Sequence, residues 1–248
     1  MIKTDAYFSG LLRHVMAGVE EKKGIQHIKM ALNIPVSQYS VREELANSIT
    51  HGIGIVFAIG ALVVMDVCAA KFGDSWHIVS CSIFGATLII LYTASTLYHS
   101  IPFQRTKMLL RIIDHSAIFL LIAGTYTPFT LVSLRGPWGW SLFGAVWGIA
   151  LLGVVFQLFL LRRWPLFSVA IYVGMGLIIL IAIKPLFAAL SPIGLKLVVA
   201  GGLAYILGLI FYGWNRLPYS HAVWHLFVLA GSAFHFFAVL FYVIPLAS

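Results

Sequence analysis

The sequence predicts an all-α integral membrane protein: a bundle of seven transmembrane helices, N-terminus cytoplasmic and C-terminus external. Three observations carry this reading. Hydrophobic residues make up 61% of the 248 and charged residues only 10%, against about half and about a quarter in soluble domains, and mean hydropathy is +0.98. Apolar stretches of about 20 residues, the length a helix needs to cross a bilayer, alternate with short polar breaks. Lys and Arg are shared unequally between the two sides that these breaks define. A chain this apolar could not keep its surface out of water as a soluble domain, so a soluble enzyme and a disordered chain are both excluded.

The spans fall near residues 48–70, 77–99, 112–134, 138–161, 166–187, 195–214 and 221–245. Lys71 to Asp74, Pro102 to Lys107, Arg135-Gly136-Pro137, Arg162-Arg163 and Asn215 to Pro218 punctuate them. Lipid offers an open strand no hydrogen-bond partners, so each span is read as a helix. Ser40-Val-Arg-Glu43 has capping-box spacing and should start the first helix. Tyr126-Thr-Pro128 should kink the third. Gly144 and Gly148 have the spacing of close helix contact.

Orientation follows the basic residues. Twelve of the 16 Lys and Arg lie in the N-terminal segment and the even-numbered loops, and four on the other side. That bias puts the N-terminus inside, with Trp76, Trp138 and Trp140 at the outer interface and Trp164 and Trp214 at the inner one. The formal charge of +8 forms no basic stripe with interleaved aromatics, so no nucleic-acid partner is expected. Cys68 and Cys81 are too few for a disulfide framework or a thiolate zinc site. They flank the first external loop at similar depth, which would allow a disulfide, but the favoured reading is two free thiols in an apolar wall.

Residues 1–42 differ in kind from the membrane domain at 43–248. The first long apolar run begins near Ile53, too late for a cleaved leader. Phe8, Leu11, Leu12, Val15, Met16 and Val19 repeat at helical spacing. They suit an amphipathic helix on the inner leaflet or a cytoplasmic helix packed on the bundle or a partner.

Ionisable residues inside spans are costly and mark function by default. With this topology His51, His99, Asp114, His115, His221 and His225 converge on one depth, just within the cytoplasmic face. His221 and His225 are i, i+4, so both imidazoles project from one helical face. Ser95 and His99 share that spacing, placing a hydroxyl one turn deeper beside the third imidazole. Three imidazoles with an open position favour a catalytic-type Zn²⁺ over the oxygen-preferring Mg²⁺ or Ca²⁺. Asp114 would bind the ion directly, bind it through water, or act as general base. Glu44, Asn47 and His51 share one face of the first span, as a shell behind the site, as substrate-facing groups, or as a headgroup-solvated cluster. His115 points about 100° from Asp114 and is not expected to be a ligand beside it. Asp66 and His235 lie too far out to touch the metal and are expected to pair with each other in a structural hydrogen bond.

Ser95-Thr-Leu-Tyr-His99, Asp114-His115-Ser116 and His221-Ala-Val-Trp-His225 together resemble the signature of the haemolysin III family. That family is the bacterial branch of the progestin and adipoQ receptors and is related to alkaline ceramidases. Glu43 to Gly52 is similar to its opening motif, and the match runs in order from about residue 43 to 245. The resemblance implies that His99, His221 and His225 hold zinc, with Asp114 and Ser95 around the metal-bound water. It has no counterpart for residues 1–42.

A zinc-dependent hydrolase acting on a membrane lipid amide or ester, in a bacterial inner membrane, is the leading expectation. Zinc would lower the pKa of its water to about 7, Asp114 would move the proton, and Ser95 would hydrogen-bond the oxyanion or the water. The rivals are a receptor-like or membrane-homeostasis protein stapled by structural zinc, and a pore-forming haemolysin. Polar residues gathered at one depth do not line a full crossing, which counts against the pore. A proton-coupled transporter would have only Asp66 and His235 to use.

Overall fold

In a computed structural model of the protein, residues 39–159, 164–214 and 216–245 are described. The expected amphipathic helix near the N-terminus lies outside them. Helix α1 (Val41–Phe72) starts at the capping box the sequence encodes: Ser40 Oγ accepts from Glu43 N–H, and the Glu43 carboxylate accepts from Ser40 N–H at 2.9 Å. At 1.5 Å per residue it outruns a hydrocarbon core of about 30 Å. Its buried positions, Asn47, His51, Gly54, Ala58, Ala61, Met65 and Ala69, recur every three or four residues and, Met65 apart, are small or polar. Its large aliphatic side chains, such as Ile49, Ile53, Val56 and Val63, point outward. This inverts the soluble pattern. Lipid is as apolar as leucine, so helices associate through close packing of small residues and internal polar contacts.

Helix α2 (Ser75–Ser100) is capped by Asp74, which accepts from the Trp76 and His77 amides. The His77 hydrogen bond, set against the small cost of burial, holds the Asp74 carboxyl below the usual carboxylate range. Arg135 completes this end of the bundle, 3.4 Å from Asp74 and over the ring of Trp76, which meets Trp140 edge-on. Helix α3 (Gln104–Pro128) runs into a π-helical turn at Phe129–Ser133. Pro128 disturbs the helix where the sequence predicts a kink. Thr125, Thr127 and Thr130 each return a hydroxyl to a carbonyl of the preceding turn, which keeps the backbone satisfied away from water.

Helix α4 is Pro137–Phe159. The fifth span is broken: α5 (Pro165–Leu177) and α6 (Ile183–Ala189) are joined by a 3₁₀ turn, Ile178–Ala182. Tyr126 holds that break. Its hydroxyl accepts from Ile179 N–H and donates to the Met175 or Gly176 carbonyl, at 2.8–2.9 Å. Helices α7 (Pro192–Gly213) and α8 (Ser220–Tyr242) complete seven segments long and apolar enough to cross a membrane, matching the seven expected spans.

α1 lies between α2 and α8, α3 packs on α2, α4 on α3, and α7 on α8. The fifth span rests thinly against α3 and α4. The buried share of each span's apolar window is highest for α2 and α8, at 56% and 50%, and lowest for the fifth, at 17%. The histidines of interest therefore sit on the two most enclosed helices. The expected close contact at Gly144 and Gly148 is absent, because a Cβ at either would meet nothing within 4 Å among the described residues. Tight approaches occur instead at other glycines, among them Gly54 on Tyr92, Gly85 on Leu62 and Gly124 on Thr87. Cys68 and Cys81 are free thiols. Asp66 and His235 do not pair: Asp66 accepts from Ser82 at 2.9 Å, and His235 bonds the Gly231 carbonyl at 2.8 Å. Each finds a partner within a turn or across one helix contact, which removes the need for a link across the bundle.

A Cβ at Gly124 would stand 2.0 Å from Thr87 Oγ1. Gly124→Ala should cost about 1–3 kcal/mol through overpacking, and Thr87→Ala in the same chain should recover part of it. Thermal unfolding in detergent measures both; equal stability of Gly124→Ala and wild type would contradict this packing.

A candidate metal centre at one end of the bundle

The start of α1, the end of α2, the start of α3 and the start of α8 meet at one end of the bundle. The expectation that residues far apart in sequence share one depth holds here. Ligand nitrogens of His99, His221 and His225 all lie within 4.8 Å of one another, a group able to hold one metal ion. Ring centroids are 4.5 Å apart for His221–His225, 5.0 Å for His99–His221 and 5.2 Å for His99–His225. His99 and His225 are buried; His221 is partly exposed, but its Nδ1 is sealed from solvent.

Helix α1 supplies the support behind them. Glu44 Oε2 accepts from His99 Nδ1 at 2.6 Å, and Asn47 Nδ2 lies 3.4 Å from the same nitrogen. His225 Nδ1 donates to the Asn47 carbonyl at 3.1 Å and lies 3.0 Å from Thr50 Oγ1. A neutral imidazole that donates through Nδ1 presents a bare lone pair at Nε2, the form a metal needs. Hydrogen bonds from outer ring nitrogens to a carboxylate and a carbonyl are the usual orienting shell of a metal site. The inner nitrogens bear this out: His99 Nε2 and His221 Nδ1 are sealed from solvent with no hydrogen-bond partner. An unmet buried polar atom costs about 1–3 kcal/mol, which a shared cation would offset. The donor set fits a borderline ion such as zinc and not an oxygen-seeking one.

Ser95 and Asp114 face the same space. Both line a cavity of about 370 Å³ whose wall also includes His51, His221 and His225. The Ser95 side chain lies beside the Asp114 carboxyl on that wall. Asp114 falls outside the three-residue group, so it stands beside the histidines and not among them. His115 is outside the group as well; its Nδ1 bonds the Arg111 carbonyl at 2.8 Å and lies 3.8 Å from Asp114 Oδ2. Glu44 and Asn47 stand behind His99 and His225, whereas His51 lines the cavity. His51 stacks on His225 with centroids 3.5 Å apart, both its nitrogens unpartnered. Sequence reasoning passed over Thr50 and Lys107. Lys107 Nζ is buried, bonds Glu44 Oε1 at 2.9 Å and the Tyr98 carbonyl at 2.9 Å, and lies over the Tyr98 ring. Its signal was available: Lys107 and Asp114 are i, i+7, two turns apart on one face of α3.

These features define a class, a seven-helix membrane protein with a three-histidine site near one end. Residues 39–236 match the family described as haemolysin-III related, and the chain belongs to that family. It is 52% identical over 204 residues to the Hemolysin-3 homolog of Bacillus subtilis (strain 168), covering 82% of this chain and 96% of that one. It is 50% identical over 208 residues to Hemolysin-3 of Bacillus cereus, covering 84% and 95%. The Monocyte to macrophage differentiation factor of Homo sapiens matches at 26% over 205 residues, 79% of this chain and 83% of that one. That relative fits the kinship with progestin and adipoQ receptors that the motifs imply. The chain is a multi-pass bacterial membrane protein.

Removing the Glu44 carboxylate tests the shell behind the histidines. Glu44→Gln should weaken metal retention about 10–100-fold, read by competition with a chelator, and His221→Ala should abolish it. Retention equal to wild type in both variants would overturn the centre.

Proposed function

We propose that the protein is a zinc-dependent hydrolase of a membrane lipid amide or ester, with the metal held by His99, His221 and His225. The observation that carries this is the histidine group opening onto one end of a largely apolar cavity, beside a carboxyl and a hydroxyl that line the same wall. A volume of about 370 Å³ falls within the range of small-molecule sites, and an apolar wall with a few convergent polar groups is their usual make-up. Zinc bound there would lower the pKa of a water to about 7 and polarise a carbonyl.

Asp114 then has a proton to move. It accepts the proton of the attacking water and passes it to the departing amine or alcohol, while the water oxygen stays on the acyl carbon. Ser95, beside Asp114 on the same wall, has a single O–H, which it can turn from that carboxyl to the developing oxyanion. Leu177, Leu180, Val199 and Leu203 line the cavity and are also exposed on the outer face. A lipid would enter sideways between the fifth span and α7.

The staple reading has one observation in its favour, since the ligands come from two helices, α2 and α8, that an ion would tie together. The relatives named haemolysins raise a pore. A cavity polar at one end and apolar along most of its wall does not suit a water-filled crossing. We also infer that the N-terminus is cytoplasmic, which puts the site in the inner leaflet. Cysteine labelling at residues 5 and 248, in a Cys68→Ser, Cys81→Ser chain, should find the first inside and the second outside. Labelling of residue 5 from outside would move the site to the outer leaflet.

Asp114→Asn separates enzyme from staple. The amide is close in shape to the carboxyl and cannot take a proton at neutral pH. Release of fatty acid from short-chain ceramide or lysophospholipid should fall about 10²–10⁴-fold, with zinc content and melting temperature near wild type. A wild type that releases no more than Asp114→Asn across a broad lipid panel would sink the hydrolase and favour the staple.

A further inference from the structure

The cavity does not end at the histidine group. Its far wall includes His235 and Tyr205. His235 follows His225 by ten residues on α8, about 15 Å along the axis. Its Nδ1 lies 2.8 Å from the Gly231 carbonyl; a carbonyl can only accept, so Nδ1 carries the proton. In the neutral ring Nε2 is then a lone-pair acceptor, and no hydrogen bond to it is found among the described residues. Other polar groups on this wall are already engaged. Thr125 donates to the Leu121 carbonyl, and the Tyr126 hydroxyl serves the break in the fifth span.

The imidazole is held rigidly. It stacks on Tyr205 with centroids 5.6 Å apart and planes at 15°. Gly201 makes room for it, since a Cβ there would stand 2.3 Å from its Nδ1 and Cε1. Gly231 makes the same room for the Tyr205 ring, where a Cβ would stand 2.7 Å away. Gly201 and Tyr205 are i, i+4 on α7, and Gly231 and His235 are i, i+4 on α8, so glycines and rings interlock across the two helices. Ser232 fixes the back of the cluster, receiving the Tyr92 hydroxyl at 2.8 Å and lying 3.0 Å from the Tyr205 hydroxyl. A site that orders an imidazole this tightly and leaves one acceptor unused in an apolar wall is fitted for a ligand that brings a donor.

We propose that His235 is a second recognition point, accepting a hydrogen bond from a hydroxyl carried mid-chain by the long-chain lipid that occupies the cavity. The inference rests on the lipid reading of the histidine group for the position of the chain's polar head. With the head there, the hydroxyl belongs about 15 Å away along α8. An extended chain advances roughly 1.25 Å per bond at ordinary carbon–carbon lengths, which puts the hydroxyl near carbon 12. An unsubstituted chain would leave the acceptor unmet, and a hydroxyl near the head would fall short of it.

The test is equilibrium binding on the purified full-length chain, by competition with tritiated octadecanoic acid. The competitors are octadecanoic, 2-hydroxyoctadecanoic and 12-hydroxyoctadecanoic acids. In wild type the 12-hydroxy acid should bind about three- to tenfold more tightly than the other two, the worth of one hydrogen bond. His235→Leu should bring the ratio to about one while still binding octadecanoic acid, and His235→Gln, which keeps an acceptor, should restore part of it. No positional preference in wild type, the same preference in His235→Leu, or no binding of any of the three acids overturns the proposal. Should the leucine variant fail to fold, the wild-type ranking of the 12- and 2-hydroxy acids decides alone. Preference without lipid hydrolysis would leave His235 standing and remove the hydrolase; hydrolysis without preference would do the reverse.

Discussion

An imidazole nitrogen sealed inside a lipid-facing bundle costs free energy unless a partner is found within the protein, because lipid supplies none. That need organises this end of the molecule. Glu44, Asn47 and Thr50 on α1 occupy the outer nitrogens of His99 and His225, and Lys107 on α3 balances the Glu44 charge. The inner nitrogens of His99 and His221 are left bare and sealed. Charge-assisted contacts, stronger and shorter than neutral ones, thus lock α1, α2 and α3 in register, and neutral hydrogen bonds from His225 add α8. Any slip of α1 against α2 or α8 would strand buried polar atoms, and α1 is therefore as much part of the centre as the helices that carry the histidines.

The remainder of the bundle follows from a contrast between enclosed and loose spans. α2 and α8 are the most buried and hold the histidines, while the fifth span is broken by a 3₁₀ turn and is the most exposed to lipid. The cavity lies on the side of the loose span, walled by α2, α3, α7, α8 and the fifth span, with His51 of α1 at the histidine end. A rigid centre beside a thinly packed helix suits a site that must keep ligand geometry fixed while admitting a long apolar molecule. The π turn after Pro128 and the break at Ile178–Ala182 are linked through the Tyr126 hydroxyl, so the irregular backbone of α3 and the fifth span forms one feature.

Much of this was legible in the sequence, for identifiable reasons. Span length and hydropathy leave few options in lipid, so all seven helices were readable, as was the Ser40–Glu43 capping box. The histidine group was readable because His221 and His225 repeat at one helical turn and the alternation of spans brings His99 to the same end. What escaped was lateral. Which helices are neighbours is not written in hydropathy, so Lys107 was counted only as a loop charge, and Asp66 and His235 were assigned to each other. Each in fact bonds locally, Asp66 to Ser82 and His235 to the carbonyl one turn back. Gly144 and Gly148 carried a packing spacing yet face open space, while Gly124, with no such motif, meets Thr87. Spacing along one helix does not say which face finds a partner.

The central claim is that three imidazoles from α2 and α8 share one metal ion at this end of the bundle. X-ray absorption at the zinc edge on the full-length protein, purified without added metal, addresses it directly. The account predicts about one zinc per chain, with a first shell of nitrogen and oxygen scatterers at about 2.0–2.1 Å and the multiple-scattering pattern of several imidazoles. A chain isolated without metal that takes up none, or sulfur scattering at about 2.3 Å from Cys68 or Cys81, would contradict it.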